Sequence, residues 1–176
     1  DVALYQAKGA GRNAVRFFSP AMQAAIESRA ALEGALRQGL DKGEFQLYYQ
    51  PQVDQAGRLI GAEALIRWLS PKQGLVSPAQ FIPLAEETGL ILQLGQWVLN
   101  TACAQIKVWQ DDPCARDLEL AVNVSARQFH QTDFVEQVRH SLLSTGATPS
   151  RLKLELTESV VLDDIETVIL RMRHLG

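Results

Sequence analysis

The sequence has 176 residues, of which 47% are hydrophobic and 21% are charged, and its formal net charge is −3. These values are typical of a soluble globular protein and exclude a strongly basic surface for DNA or RNA polymers, although a small anionic ligand is compatible with them. No apolar run approaches the roughly 20 residues that a helix needs to cross a bilayer, so the sequence predicts no membrane segment in this chain.

The first predicted elements precede the main alternation of strands and helices. Residues 1–18 predict a short helix, a Gly-rich turn and a short strand, which together are too small to form a hydrophobic core. Ser19 and Pro20 predict a helix that runs to about Gly39, because serine caps helices and proline suits their first position. Because the chain starts at Asp1 rather than Met and stops at Gly176, at the end of a predicted helix, we expect a fragment of a longer protein.

Strands and helices then follow in turn along the chain. The predicted strands are residues 44–53, the segment GAEALIRW at 61–68 with its flanks, residues 118–125 and residues 151–158. The predicted helices are residues 77–89, about 91–110, 132–144 and a last one that starts at Asp163 or Asp164. This order predicts an α/β fold with parallel strands covered by helices, holding about four of the eight strands of a closed (β/α)8 barrel.

Each predicted strand has one apolar and one polar face, because successive side chains of a strand point to opposite sides. On the second strand both charged residues, Glu63 and Arg67, share the polar face. The apolar faces of the first three strands are Phe45, Leu47, Tyr49 and Val53; Ile60, Ala62, Ala64, Ile66 and Trp68; and Leu118, Leu120, Val122 and Val124. We assign Ala121 and Ser125 to the polar face of the third strand.

Polar side chains on neighbouring strands suggest a site. Glu63, Asn123 and Glu155 lie towards the C-terminal ends of their strands, where α/β folds form sites. Two carboxylates and an amide suit a hard cation such as Mg²⁺ or Mn²⁺. Arg67 suits a phosphate through its planar guanidinium, and Gln50 offers neutral hydrogen bonds. The alternative is a surface strand on which Glu63 and Arg67 form an ion pair.

Several motifs in one order carry a family resemblance. YYQPQV, EALIRW, FIPLAEETGLI, NVSARQF and LELTES together resemble the EAL family of cyclic-di-GMP phosphodiesterases over about residues 29–176. The opening DVALYQAKGAGRN resembles the C-terminal end of a GGDEF domain, the diguanylate cyclase module. The resemblance implies a GGDEF remnant at 1–18, a helical junction at 19–28 and the N-terminal part of a truncated EAL domain at 29–176.

The resemblance implies a fold and an activity. The family fold is a modified (β/α)8 barrel of the TIM type whose first strand is antiparallel to the rest. Its members hydrolyse cyclic-di-GMP to linear pGpG with Mg²⁺ or Mn²⁺, in bacterial second-messenger signalling. We therefore expect a cytoplasmic phosphodiesterase module, with any membrane anchor in N-terminal segments outside these residues; a homodimer is compatible with the sequence.

The resemblance also assigns roles to individual positions. Glu63, Asn123 and Glu155 match the metal ligands, and the two glutamates are catalytic residues in this sense. Glu158, a further catalytic candidate, resembles a glutamate that supports a neighbouring catalytic loop. The positions that resemble ligand contacts are Gln50, Leu65, Arg67 and Glu86.

The sequence also departs from the family pattern. The family continues with a paired aspartate in a DDFG-type loop, a lysine, a glutamate and a glutamine, all beyond the last residue here. Asp163 and Asp164 are not that pair, because they lack the following Phe-Gly and lie at a predicted helix start. We therefore expect the 176-residue polypeptide alone not to hydrolyse cyclic-di-GMP.

Three functions are compared. The leading interpretation is a phosphodiesterase, which the presence of Glu63, Asn123 and Glu155 favours. The second is a receptor that binds cyclic-di-GMP without cleaving it. The third is a regulatory protein that acts through partner contacts without a nucleotide, against which Arg67 and Gln50 argue.

Overall fold

The fold is that of a computed structural model, which describes residues 20–156. The predictions for the GGDEF remnant, for Glu158 and for the last helix lie outside the described residues. Within this range, no helix is both long enough and apolar enough to cross a bilayer.

Strands and α-helices alternate through the described residues. The strands are β1 (Phe45–Val53), β2 (Leu59–Ser70), β3 (Gly74–Val76), β4 (Glu119–Val124) and β5 (Leu152–Leu156). The helices are α1 (Pro20–Lys42), α2 (Pro78–Thr88), α3 (Leu90–Gln110), α4 (Ala126–Phe129) and α5 (Phe134–Thr145), and a 3₁₀ turn covers Pro149–Arg151. This order confirms the predicted α/β architecture.

The strands form one mixed sheet in the order β1-β2-β4-β5, with the short β3 paired to β2. β1 and β3 run antiparallel to β2, whereas β2, β4 and β5 are parallel to one another. The helical crossovers between β2, β4 and β5 cover the sheet, as connections between parallel strands require. The antiparallel first pair and the parallel strands that follow confirm the predicted topology.

The apolar face of the sheet packs against the helices in two clusters. Around α3 and α5, the cluster includes Ala62, Ala64, Leu99, Ala102, Leu120, Val122, Val124, Phe134 and Val138. Around α1 and α2, it includes Leu36, Phe45, Trp68, Phe81, Ala85 and Leu94. Because side chains alternate along β2 and β4, one face of each strand packs in the core and the other face is available for a binding site.

The boundary between α2 and α3 follows from local signals in the sequence. Ser77 precedes Pro78 at the start of α2, as predicted. Gly89 ends α2 at φ 84°, a left-handed conformation that favours glycine, and α3 begins at the next residue. Gly89 thus lets the chain turn directly from one helix into the next.

The structure corrects two predictions about the strand faces. Val53 and Ile60 are 59% and 50% exposed, although both were assigned to the apolar face. A register shift between Gln52 and Val53 reverses the alternation there, and Ile60 lies beside that irregular end of the hairpin. Ala121 and Ser125, assigned to the polar face, are buried. Ala121 lies between two longer side chains of adjacent strands, and Ser125 turns inward after β4.

The helix and strand bounds differ from the prediction in three places. α1 continues past its predicted end at about Gly39 to Lys42 and ends before Gly43, whose φ is 68°. β3 and α4 lie in segments for which no strand or helix was predicted, and they are three and four residues long. Elements this short carry too few residues for a periodic pattern to be read.

Candidate active site

The three predicted metal ligands project from one face of three neighbouring strands. Glu63 on β2 lies opposite Ala121 on β4. Two residues further along β4, on the same face, Asn123 lies opposite Glu155 on β5. The structure therefore brings the Glu63, Asn123 and Glu155 side chains to one part of the polar face, at the C-terminal ends of β4 and β5. Glu63 itself lies nearer the start than the end of β2, contrary to the prediction, because β2 continues to Ser70 and pairs there with β3.

Two of these side chains are in direct contact. The Asn123 Nδ2 donates a hydrogen bond to Glu63 Oε1 at 2.7 Å. Because an amide can donate where a second carboxylate would repel, this pair is stable without a cation between its members. The bond uses the nitrogen of Asn123 and one oxygen of Glu63, so Asn123 Oδ1 and Glu63 Oε2 are left to bind a cation.

A lysine lies beside the third candidate. Lys153 Nζ is 2.8 Å from Glu155 Oε1, and the two side chains point the same way because they are two residues apart on β5. The hydrogen bond to Glu155 raises the pKa of Lys153, and the charges of Glu155, Glu119 and Glu63 add to it. This ion pair was not predicted from the sequence, although Lys153 lies two residues before Glu155 and therefore on the same face of the strand.

The donor set fits a hard cation better than a soft one. Within residues 20–156, no group of three His, Cys, Asp or Glu side chains is placed to hold a metal. The candidate set instead mixes two carboxylates with one amide, all oxygen donors, which suits Mg²⁺ or Mn²⁺. Cys103 is buried in the core around α3, where burial raises its pKa to about 11, so it is a structural residue.

The predicted ligand contacts continue the same face towards β1. Gln50 is exposed and lies opposite Glu63, and half-buried Leu65 lies opposite Tyr48. The Arg67 guanidinium stacks over the Tyr48 ring, with Cζ 5.5 Å from the ring centroid, and donates to the Ile66 carbonyl at 2.8 Å. A cation over an aromatic face is attracted by the ring's negative face, so Tyr48 helps to orient this guanidinium.

A cavity of about 240 Å³ lies next to this face. Arg67, Glu86 and Asn123 contribute to its lining from β2, α2 and β4. Apolar side chains supply much of the rest: Leu65, Ile82, Ile91, Leu94 and Val98. Pockets for whole small ligands are usually about 300–1,000 Å³, so this cavity has room for one part of a larger ligand.

The close approach of β2 and β4 depends on a glycine. Gly61 lies two residues before Glu63 on the same face and pairs with Glu119. A Cβ at residue 61 would lie 2.4 Å from the Glu119 carbonyl oxygen, closer than real contacts allow. Gly61 therefore allows the strand spacing that lets Asn123 reach Glu63, a role that the sequence pattern did not reveal.

Comparisons with known sequences agree with this architecture. The sequence model of the EAL domain matches residues 33–176. The bifunctional diguanylate cyclase/cyclic di-GMP phosphodiesterase MucR of Pseudomonas aeruginosa is 44% identical over 177 residues, which cover 100% of this chain and 26% of MucR. The signaling protein YkoW of Bacillus subtilis is 36% identical over 180 residues, which cover 100% of this chain and 22% of YkoW.

Solved structures show the same fold. The cyclic-di-GMP complex of the PaMucR phosphodiesterase is 44% identical with a TM-score of 0.79, covering 82% of this chain and 59% of that one. The cGMP-bound form of the EAL enzyme Bd1971 is 32% identical with a TM-score of 0.79, covering 89% and 44%. The chain thus spans about a quarter of the two curated relatives and about half of these solved chains, and its sheet corresponds to part of their barrel.

Proposed function

Because the chain belongs to the EAL domain family, we propose that it is the N-terminal part of a domain that hydrolyses cyclic-di-GMP to linear pGpG with Mg²⁺ or Mn²⁺. The observation that carries this proposal is the contact between Glu63 and Asn123 beside Glu155, on the face where the family resemblance expects the metal. The similarity to a relative named as a cyclic di-GMP phosphodiesterase supports the choice of substrate.

Each residue of the site has a part in this proposal. Glu63, Asn123 and Glu155 would hold the cation through oxygen atoms. A divalent cation in such a site acts as a Lewis acid and lowers the pKa of a bound water. Arg67 binds a phosphate oxygen of the substrate through its planar N–H groups, and the Tyr48 ring keeps the guanidinium in place.

The rest of the substrate is held by neutral contacts. Gln50 lies opposite Glu63 on β1 and offers an amide to the sugar-phosphate or base edges. Leu65 and the adjoining cavity accept an apolar or planar part of the ligand, with Glu86 at the lining as a hydrogen-bond acceptor. We assign to Glu158, which lies outside the described residues, the support of a neighbouring catalytic loop.

The domain organisation forms a further part of the proposal. The alignment with MucR covers the whole chain, including the residues before the matched family segment at 33–176. MucR is named as both a diguanylate cyclase and a phosphodiesterase. This supports the assignment of residues 1–18 to the end of a GGDEF domain and of 19–28 to the junction.

The direct test is hydrolysis by the full-length protein that carries this chain. With cyclic-di-GMP and Mg²⁺ or Mn²⁺, chromatography is expected to show linear pGpG, and a chelator is expected to stop its formation. Glu63→Gln should lower the rate by more than about a hundredfold, because even residues that only support a ligand commonly cost ten- to a hundredfold. The matched control is Glu136→Gln on the exposed surface of α5, which should leave the rate unchanged.

Two outcomes would contradict the proposal in different ways. If the protein binds cyclic-di-GMP tightly but forms no pGpG with either metal, the receptor interpretation replaces hydrolysis. If Glu63→Gln and Glu136→Gln hydrolyse the substrate equally well, the assigned site is wrong even if the activity is present.

A further inference from the structure

The junction that follows β4 is closed by buried hydrogen bonds. Ser125 caps α4, and its Oγ accepts from the Gln128 N–H at 3.3 Å. In return, Gln128 Oε1 accepts from the Ser125 N–H at 3.3 Å and from its Oγ at 3.0 Å. Ser125 and Gln128 are 9% and 6% exposed, so these bonds are made away from water. Buried polar groups that are fully paired fix one arrangement of the chain.

The Gln128 side chain occupies a notch that a glycine of α3 leaves open. A Cβ at residue 95 would lie 1.6 Å from Gln128 Nε2 and 2.1 Å from its Cδ. Glycine is unfavourable in the interior of a helix, and Gly95 lies well inside α3. The space for Gln128 therefore explains this glycine, and it ties α4 to the long helix beneath the sheet.

The same short helix is also tied to α2. Arg127 Nη1 donates to the Glu86 carbonyl at the C-terminal end of α2. Glu86, Gly95, Asn123, Ser125 and Gln128 all line the cavity beside the candidate site. α4 thus connects the end of β4 to both helices that border the cavity.

We infer that Gln128 is a positioning residue for the metal site. We call the hydrogen-bonded pair of Ser125 and Gln128, seated in the notch at Gly95, the lock. Because Asn123 lies two residues before Ser125, the lock fixes where β4 ends and how the Asn123 amide meets Glu63. This inference rests on the proposed function, because it gives the lock a role in metal binding. The sequence itself indicates this pair, because a serine followed three residues later by glutamine is a capping-box pattern.

Variants at both sides of the notch separate positioning from general stability. Gly95→Ala inserts a Cβ where the Gln128 amide lies, whereas Gln128→Ala removes the amide and its bonds. In the double variant, the space left by Gln128 accommodates the new methyl group. We therefore expect the melting temperature lost in Gly95→Ala to be largely regained in the double variant.

Metal affinity should behave differently from stability in this series. Titration of the full-length protein with Mn²⁺ in a calorimeter should show about tenfold weaker binding for Gln128→Ala and for the double variant, since both lack the lock. The controls are Gly34→Ala and Gln38→Ala on the exposed side of α1, where a Cβ at 34 meets nothing within 4 Å. Both controls should bind Mn²⁺ as the wild type does.

The outcomes distinguish the inference from the proposed function. If the wild type binds Mn²⁺ and the double variant binds it equally well, the positioning role is wrong although the site stands. If affinity falls only in proportion to melting temperature across the series, the lock is merely structural and the inference is again wrong. If the wild type binds no Mn²⁺ at all, the proposed function itself fails.

Discussion

The two faces of the sheet differ in what they contain. On the packed face, Trp68 and Val122 are 0% and 1% exposed and lie in the two apolar clusters. On the other face, Glu63 is half-buried and Asn123 is exposed, and their side chains bond to each other. The same strands carry both faces, because neighbouring residues of a strand point to opposite sides.

Stability and the proposed activity therefore depend largely on different faces of the sheet. Burial of apolar side chains on one face supplies much of the folding free energy. Exposed polar side chains contribute little to it, so the polar face is available for binding. Outside the notch where Gln128 meets Gly95, substitutions on the packed face should therefore change stability, and substitutions on the polar face should change binding and catalysis.

The largest effect on stability is expected at Phe81, whose ring is fully buried. It packs edge-on against Trp68 at 5.7 Å and against Phe45 at 5.8 Å between ring centroids. Phe81→Ala should lower the free energy of unfolding by about 3–5 kcal/mol, because it removes buried surface and leaves a cavity. Urea unfolding followed by tryptophan fluorescence measures this loss, with Phe81→Leu as the milder control.

The Mn²⁺ affinity of the folded Phe81→Ala protein sharpens the comparison. At a temperature where this variant is still folded, we expect it to bind Mn²⁺ as the wild type does. A large loss of affinity under those conditions would show that the two faces are coupled.

A smaller effect, confined to function, is expected at Arg67. Arg67→Lys keeps the charge but loses the planar fork of N–H groups and the stacking on Tyr48. We expect KM for cyclic-di-GMP to rise about tenfold, the loss of roughly one charge-assisted hydrogen bond, with little change in melting temperature. Steady-state kinetics and a thermal melt of the same sample provide both readouts, and an unchanged KM would remove Arg67 from the site.

The smallest effect is expected at the turn between β1 and β2, outside both faces. Asp54 Oδ1 accepts from the Ala56 and Arg58 N–H groups at 2.9 Å, and Oδ2 from Arg58 Nε at 2.8 Å. These bonds, chiefly that from the Arg58 N–H, hold the pKa of Asp54 below its ordinary value of 3.8. A carboxyl with a lowered pKa stabilises the fold above its ordinary pKa, and this contribution is lost as the pH falls through the lowered value.

The pH dependence of Asp54→Asn tests this assignment. The melting temperature of the wild type should exceed that of Asp54→Asn at pH 6, and the difference should narrow as the pH falls below about 4. A difference that is independent of pH would show that the charge of Asp54 is not the cause. Metal affinity should be the same in both proteins, because the hydrogen bonds of Asp54 are made to Ala56 and Arg58 within the turn and not to the candidate metal ligands.

Features that depend on neighbouring residues in the sequence were predicted correctly. Ser77-Pro78 and Gly89 mark the ends of α2 within the sequence itself, so these bounds were predicted correctly. The alternation around Glu63 was also local, and the structure places Glu63 and Asn123 in contact. The prediction that Val53 lies on the apolar face was wrong, because the register shift before Val53 depends on how β1 pairs with β2.

The remaining features depend on contacts between distant residues. Gly61 and Gly95 matter because of what lies opposite them, the Glu119 carbonyl and the Gln128 amide, and no sequence period contains that information. The ion pair of Lys153 with Glu155 could have been predicted from the two-residue spacing, but it was not. Strand periodicity thus finds the side chains of a site, whereas the packing that positions them has to come from the structure.

The central claim is that Glu63, Asn123 and Glu155 bind one divalent cation. The most direct measurement is anomalous X-ray diffraction from crystals of the full-length protein grown with Mn²⁺. We predict an anomalous peak within coordination distance of side-chain oxygens of all three residues. A Mn²⁺ peak elsewhere on the protein, with Asn123 still bonded to Glu63 and no ion beside them, would contradict it.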